Sequence, residues 1–193
     1  MKKLVFFLTC FVIAGTAFSQ QNHLKFKGVP IDGTLQSYTN AMKQAGFSYE
    51  GSQDGVSILS GDFAGYKGCV IGVSTLKNCD VVSRISVLFP ERETWASLLN
   101  DYETLKAMLT EKYGKPSDSK EEFTGYIGDY HNGLVMNALS EGKYVWYTTF
   151  TTELGDIELT LVGSDYGSKG MVCLRYSDKA NSEKVRSAAM DDL

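Results

Sequence analysis

Residues 95–116 have the sequence WASLLNDYETLKAMLTEKYGKP, and we expect the fold to be organised around them. Their apolar side chains recur at spacings of three and four residues, which predicts one apolar stripe along a helix. Gly114 can adopt the left-handed backbone that ends a helix, and Pro116 prevents its continuation. Asp101 can also act as a helix N-cap, so the segment forms either one long helix or two helices that meet at Asn100 and Asp101. The stripe consists of Trp95, Leu98, Leu99, Tyr102, Leu105, Leu109 and Tyr113.

A shorter amphipathic helix is predicted earlier in the chain. Asp32 or Thr34 can cap its start, and Gly46 can end it. Its inward residues are Leu35, Tyr38, Met42 and Ala45. Most of the remaining sequence indicates short strands, which need such helices to cover their apolar face.

Three strands are predicted after the shorter helix. If Asp62 pairs with Cys69, and Thr75 pairs with Val81, the apolar residues of all three strands share one face. A shift of one residue would scatter them, because side chains alternate between the two faces of a strand. The shared face comprises Val56, Ile58, Cys69, Ile71, Val73, Val81, Ile85, Val87 and Phe89.

The second half of the chain follows a similar pattern. Residues 117–143 contain candidate strands at 123–127 and 134–139. A second three-stranded meander is predicted beyond Lys143, and its inward residues are Trp146, Thr148, Phe150, Ile157, Leu159, Leu161, Val172, Leu174 and Tyr176. The fold class is therefore α+β. We expect two pseudo-repeats of a helix plus an antiparallel three-stranded meander, at about residues 24–90 and 91–180, with the helices packed on one sheet face. A short C-terminal helix is predicted at residues 182–190.

The N-terminus has the order of features found in a cleavable signal peptide. Two lysines precede an apolar run, and small residues follow it, which predicts a signal peptide over residues 1–19 with cleavage between Ser19 and Gln20. Cys10 lacks the context of a lipidation site. The run is too short to span a bilayer, and no second apolar segment exists. We therefore expect residues 20–193 to form a single periplasmic or secreted domain without a transmembrane segment.

Composition excludes one class of partner, and the spacing of the cysteines excludes one disulfide. The net charge is −4, and the basic residues form no stripe that could follow a phosphate backbone, so nucleic acid is not an expected partner. Cys69, Cys79 and Cys173 remain after processing. Cys69 opens a strand and Cys79 follows its far end, so their separation along an extended chain excludes a disulfide between them.

The order of elements resembles the β-lactamase-inhibitor-protein-like fold and the related small outer-membrane assembly lipoproteins. The resemblance rests on the helix from Tyr102 to Tyr113, its ending at Gly114, Lys115 and Pro116, and the paired meanders. It implies an exported binding module whose sheet receives a partner. The chain differs from these families in that it lacks a lipidation cysteine. It also resembles secreted proteins of gut bacteria, which implies nothing about chemistry.

Motifs for catalysis or metal binding are absent from the sequence. His23 and His131 have no second ligand at a metal-binding spacing, and no serine lies in a nucleophile elbow. No glycine-rich loop joins a strand to a helix, so no phosphate cradle is indicated. We therefore expect no metal, no cofactor and no catalytic residue.

The sheet face opposite the helices, which we call the open face, is the predicted binding surface. Aromatic, methionine and arginine side chains are enriched in protein interfaces. The expected partner-binding residues are Tyr147, Thr149, Thr151, Thr160, Met171, Arg175 and Arg84, with Leu59, Phe63, Val70 and Leu88 beside them.

The sequence thus favours an exported non-enzymatic module that binds a protein, a peptide or an envelope component. Two alternatives remain open at this stage. One is a secreted hydrolase whose site is assembled from residues distant in sequence around His131, and the other is a structural envelope protein.

Overall fold

The computed structural model describes residues 22–76, 79–124, 132–164 and 169–191. Four helices lie in these ranges: α1 (Leu35–Gln44), α2 (Trp95–Tyr113), α3 (Asn132–Ser140) and α4 (Lys179–Asp191). The strands of the first half are β1 (Lys25–Phe26), β2 (Val29–Pro30), β3 (Ser48–Gln53), β4 (Val56–Phe63), β5 (Tyr66–Leu76) and β6 (Cys79–Leu88). Those of the second half are β7 (Asp118–Phe123), β8 (Tyr144–Thr152), β9 (Gly155–Gly163) and β10 (Gly170–Asp178).

Eight of these strands form one antiparallel sheet. Its strand order is β3-β4-β5-β6-β10-β9-β8-β7, and β1 and β2 form a separate hairpin. The pairing of β6 with β10 joins the two halves of the chain, for example where Val87 lies opposite Leu174. Pairing within each half is local, whereas this central pairing is not.

The two faces of the sheet differ in burial. One row of neighbours across five strands is fully buried under α1, α2 and α3, and we call its side of the sheet the helix face. This row is Ile71, Val87, Leu174, Leu159 and Thr148. The adjacent row lies on the open face and consists of Gly72, Ser86, Arg175, Glu158 and Thr149.

The segment at residues 95–113 forms one helix rather than two. Thr94 is its N-cap and accepts a hydrogen bond from the Ser97 backbone N–H. Asp101 does not start a new helix, because α2 continues through it without a break to Tyr113. Its side chain is buried. The Asp101 carboxylate accepts hydrogen bonds from Arg92 Nε at 2.6 Å and from the Tyr66 hydroxyl at 3.3 Å, which compensates the cost of burying it.

The predicted pseudo-repeats of a helix and a three-stranded meander are wrong. In the first half, α1 is followed by four strands, because Ser48–Gln53 forms an additional edge strand, β3. This strand has no apolar alternation, which is why its sequence gives no strand signal. In the second half, residues 134–139 lie in helix α3 and not in a strand.

The register predicted for the first half is also wrong. Cys69 pairs with Gly61 instead of Asp62, and Thr75 pairs with Val82 instead of Val81. Irregularities between Gly61 and Phe63, and after Ser74, cause these shifts. Each shift turns the side chains of a strand to the opposite face of the sheet. Buried Ser57, Leu59 and Val82 therefore take the places on the helix face that were predicted for Val56, Ile58 and Val81.

Several other predictions fall on the termini or on the cysteines. The proposed signal peptide, Cys10 and the Ser19–Gln20 bond lie outside the described residues. A helix occupies Lys179–Asp191, where the sequence indicates one at residues 182–190. Cys69 and Cys173 are buried, Cys79 is exposed, and all three are free thiols. Within the described ranges, no helix has the length and apolar character needed to cross a membrane.

Candidate functional site

The strand registers bring all seven of the predicted partner-binding residues to the open face. Arg175 of β10 pairs with Glu158 of β9 and Ser86 of β6, and every second residue from these positions shares their face. Val70 and Leu88 lie in the same alternation, and Val70 is 40% exposed. The seven residues are Arg84, Tyr147, Thr149, Thr151, Thr160, Met171 and Arg175.

Leu59 and Phe63, by contrast, do not belong to this surface. Leu59 is fully buried in the core on the helix face. Phe63 packs against the same core, and its ring lies 5.0 Å from that of Phe26 between centroids. The register shift in β4 is the cause, because it turns both side chains from the predicted face to the opposite one.

A polar hollow lies at the centre of the open face. Its volume is about 440 Å³, and its charged members are Arg84, Asp156, Glu158 and Arg175. Arg175 Nη1 donates a hydrogen bond to Glu158 Oε1 at 2.7 Å, directly across the β9–β10 pair. Both side chains are more than a third exposed, so this ion pair adds little to stability.

The other two charges of the hollow are not neutralised by neighbours. Arg84 and Asp156 lie on either side of Ser177, in adjacent strands. Within the described part of the chain, neither side chain has a hydrogen-bond or ion-pair partner. The hollow therefore presents one unpaired positive group and one unpaired negative group to solvent.

A second hollow of about 470 Å³ adjoins the first one. It is lined in part by Tyr144, Tyr147, Thr160 and Val162, and it shares Arg175 with the first hollow. The Tyr147 hydroxyl donates a hydrogen bond to Asp118 Oδ2 at 2.8 Å, and this hydrogen bond raises the pKa of Tyr147. Tyr147 thus remains a neutral phenol, with an apolar ring and a polar tip suited to an interface.

Cys173 lies on the open face between Leu88 and Thr160, but its side chain is covered by its neighbours. Burial raises the pKa of its thiol. A neutral and inaccessible thiol is a poor nucleophile, so Cys173 does not supply a reactive group to this surface.

The histidines do not provide a catalytic centre within the described residues. The side chain of His23 is only 8% exposed, and its Nδ1 lies 3.1 Å from Oδ1 of the buried Asp178. The same carboxylate accepts hydrogen bonds from the backbone N–H groups of Leu24 and Asn181. His23 is therefore part of a buried contact that holds the N-terminal segment, and His131 lies outside the described residues.

Sequence reasoning missed the acidic half of the central hollow. Asp156, Glu158 and Ser177 contribute to it, although none was singled out. The signal was present in β9, where Asp156, Glu158 and Thr160 alternate with the buried Ile157 and Leu159. This alternation assigns Asp156 and Glu158 to the open face. Only the pairing of β9 with β10 places their carboxylates beside Arg175 and near Arg84.

Two further observations bear on function. The described residues contain no group of three or more histidine, cysteine, aspartate or glutamate side chains arranged to hold a metal ion. No known protein family, curated protein or solved structure matches this chain. The resemblance to the β-lactamase-inhibitor-protein-like fold therefore stays a prediction.

Proposed function

We propose that this protein is an exported, non-enzymatic binding module that engages a protein of the cell envelope through the open face of its sheet. The observation that carries the proposal is the pair of unpartnered charges, Arg84 and Asp156, in the polar hollow at the centre of that face. Export rests on the sequence of residues 1–19.

The charges favour a folded protein partner over a small apolar ligand. A partner that covered Arg84 and Asp156 without opposite charges would desolvate both of them, which is costly. A partner that presents a carboxylate to Arg84 and an ammonium or guanidinium group to Asp156 compensates that cost. Such a partner is therefore bound in preference to competitors that lack these charges.

The neighbouring hollow supplies the less polar part of the same surface. Tyr147 lines this hollow, and tyrosine is a type of side chain that often contributes strongly when water is excluded from an interface. Arg175 belongs to both hollows, so its removal should affect contacts across the whole surface.

The hydrolase alternative has less support than the binding module. Among the described residues, the imidazole of His23 is nearly buried and lies between the carboxylates of Asp178 and Asp32. The described residues that line the two hollows of the open face include no histidine. A purely structural role predicts no particular arrangement of charges on the open face and is separated from binding by the experiment below.

The proposal is tested by site-specific photo-crosslinking in the cell envelope. A photoreactive amino acid at Ser86, in the central row of the open face, should crosslink one defined protein. The same amino acid at Met108, which is 49% exposed on α2, should not. Purified partner should then bind the native chain, and its affinity should fall at least about tenfold for the Tyr147→Ala, Arg175→Ala double variant.

The matched control is Met108→Ala, which should leave the affinity unchanged. The double variant must also have the same midpoint of denaturant unfolding as the native chain. This is expected because both replaced side chains lie at the surface. Crosslinking from Met108 alone, or equal affinity of the double variant and the native chain, would move the interface away from the open face and reject the proposal.

A further inference from the structure

A separate groove lies on the other side of the sheet, between α1 and the edge strands. Its volume is about 450 Å³, which is within the usual range of small-molecule sites. One wall is a polar stripe of α1 whose members are three or four residues apart: Gln36, Thr39, Asn40 and Lys43. The opposite wall is formed by Tyr49, Ser52, Ser57 and Asp80.

A β-bulge in β3 builds the strand wall of this groove. Tyr49 and Ser52 are three residues apart, so a regular strand would turn them to opposite faces. The bulge lies between Tyr49 and Gly51, and it adds one residue to β3. Tyr49 then pairs with Leu59 and Ser52 pairs with Ser57, which puts both side chains on the helix side of the sheet.

The bulge also explains a glycine and an exposed aromatic ring. Gly51 has a φ of 152°, a conformation that residues with a side chain rarely adopt. Tyr49 is 46% exposed, although it lies on the side of the sheet that otherwise forms the core. Bulges of this kind commonly redirect a side chain toward a binding site.

The helix wall contains a buried polar atom without a partner. Thr39 is only 8% exposed, and its hydroxyl has no hydrogen-bond partner among the described residues. Such a group costs stability unless something bonds to it. Thr39 lines the groove, but its oxygen is covered, so a ligand hydroxyl supplies the missing hydrogen bond only when the side chain turns toward the groove.

The charges of the groove lie at the two ends of α1. Asp80 Oδ1 accepts a hydrogen bond from the backbone N–H of Leu35, the first residue of the helix. Lys43 lies in the last turn, about 12 Å from Leu35 along an ideal helix. The middle of the groove is therefore neutral, and it offers the amides of Gln36 and Asn40 together with hydroxyl groups.

We propose that this groove binds a short, neutral oligosaccharide. Sugar hydroxyls both donate and accept hydrogen bonds, as do the side-chain amides and hydroxyls of the two walls. The C–H face of a sugar ring can pack against an aromatic ring such as that of Tyr49. The groove and the open face lie on opposite sides of the sheet, so this proposal stands or falls independently of the binding module proposed above.

Three neutral trisaccharides serve as probes, namely triacetylchitotriose, maltotriose and cellotriose, each added at millimolar concentration. Titrations are followed by NMR of the side-chain amides and by calorimetry. We expect at least one probe to bind and to shift the Gln36 and Asn40 amide signals. Tyr49→Ala should weaken that binding about tenfold or more, and Thr39→Val about threefold to tenfold, which corresponds to one lost neutral hydrogen bond.

Tyr147→Ala, which removes the corresponding ring from the open face, is the matched control and should bind the probe as the native chain does. Tyr49→Ala should leave photo-crosslinking from Ser86 unchanged, which separates this proposal from the previous one. The proposal is overturned if no probe binds, or if Tyr49→Ala and Thr39→Val both keep the native affinity.

Discussion

The two faces of the sheet treat polar side chains in opposite ways. On the helix face, Asp178 is fully buried and accepts hydrogen bonds from two backbone N–H groups beside its contact with His23. Thr148 is equally buried and lies 2.7 Å from the Tyr102 hydroxyl. On the open face, Arg84 and Asp156 have no partner within the described residues.

The difference follows from the cost of desolvation. A polar group that is removed from water must find a partner within the protein, whereas water satisfies a charge at the surface. Buried polar residues of the helix face should therefore determine stability, whereas exposed polar residues are free to determine binding. Within the described ranges, three buried atoms depart from this rule, since Tyr38 Oη, Thr39 Oγ1 and Trp146 Nε1 have no partner there.

The largest effect is expected at Asp178. Asp178→Ala should lower the free energy of unfolding by about 3 kcal/mol or more, because it leaves the N–H groups of Leu24 and Asn181 buried without an acceptor. Urea unfolding of the variant measures this loss. Asp156→Ala is the same chemical change on the open face and should alter stability little. Equal losses in the two variants would contradict the contrast between the faces.

A smaller effect distinguishes two buried tyrosines. Burial raises the pKa of both Tyr38 and Tyr102, so both are neutral phenols. Tyr102 contacts Thr148 and Glu121 through its hydroxyl, whereas the Tyr38 hydroxyl has no partner. Tyr102→Phe should therefore cost about 1–2 kcal/mol, while Tyr38→Phe should be neutral or stabilise the protein by up to about 1 kcal/mol.

Urea unfolding of both variants tests this expectation. The two variants are matched, since each loses one hydroxyl group. If Tyr38→Phe destabilises the protein as much as Tyr102→Phe does, the hydrogen bonds of Tyr102 are not the cause.

The smallest effect concerns the acid dependence of stability. Burial opposes ionisation of Asp32, but hydrogen bonds from Gly33 and Asn181 and the nearby His23 and Lys184 outweigh it and lower the pKa of Asp32 below its usual 3.8. The unfolded state then binds the proton more tightly, so this contribution to stability is present above pH 4 and is lost as pH falls through the folded-state pKa.

Asp32→Asn should therefore reduce the decrease in thermal midpoint between about pH 5 and pH 3. Thermal unfolding across that range measures the slope. Asp156→Asn removes one negative charge from the open face and controls for net charge. An unchanged slope in Asp32→Asn would mean that its hydrogen bonds do not stabilise the ionised form.

Sequence periodicity correctly located α2 and the strands of the second meander. The stripe at Leu98, Tyr102, Leu105 and Leu109 is buried, and Phe150 pairs with Ile157 as the alternation required. These elements have strong apolar patterns, and burial of such a pattern allows only one orientation. The same alternation is why the open-face residues of β8, β9 and β10 could be named in advance.

Periodicity failed where the chain departs from a regular repeat. The irregularity between Gly61 and Phe63 moved Leu59 into the core, and the bulge in β3 brought Tyr49 and Ser52 together. The sequence 48–53 is polar throughout, so its strand is held by pairing with β4 and not by burial of its own side chains. A pattern of alternating residues contains no information on such insertions.

By itself, the sequence determined the helical character of residues 95–113, the alternation of the strands in the second meander and the types of side chain on its open face. These follow from local spacing, because side-chain direction repeats every 3.6 residues in a helix and every two in a strand. Only the tertiary structure decided that β6 pairs with β10, that Arg84 and Asp156 share a hollow, and that α1 and β3 enclose a groove. The first two contacts join residues far apart in the chain, and the third depends on the bulge in β3. The free energy that selects them belongs to the packed core as a whole.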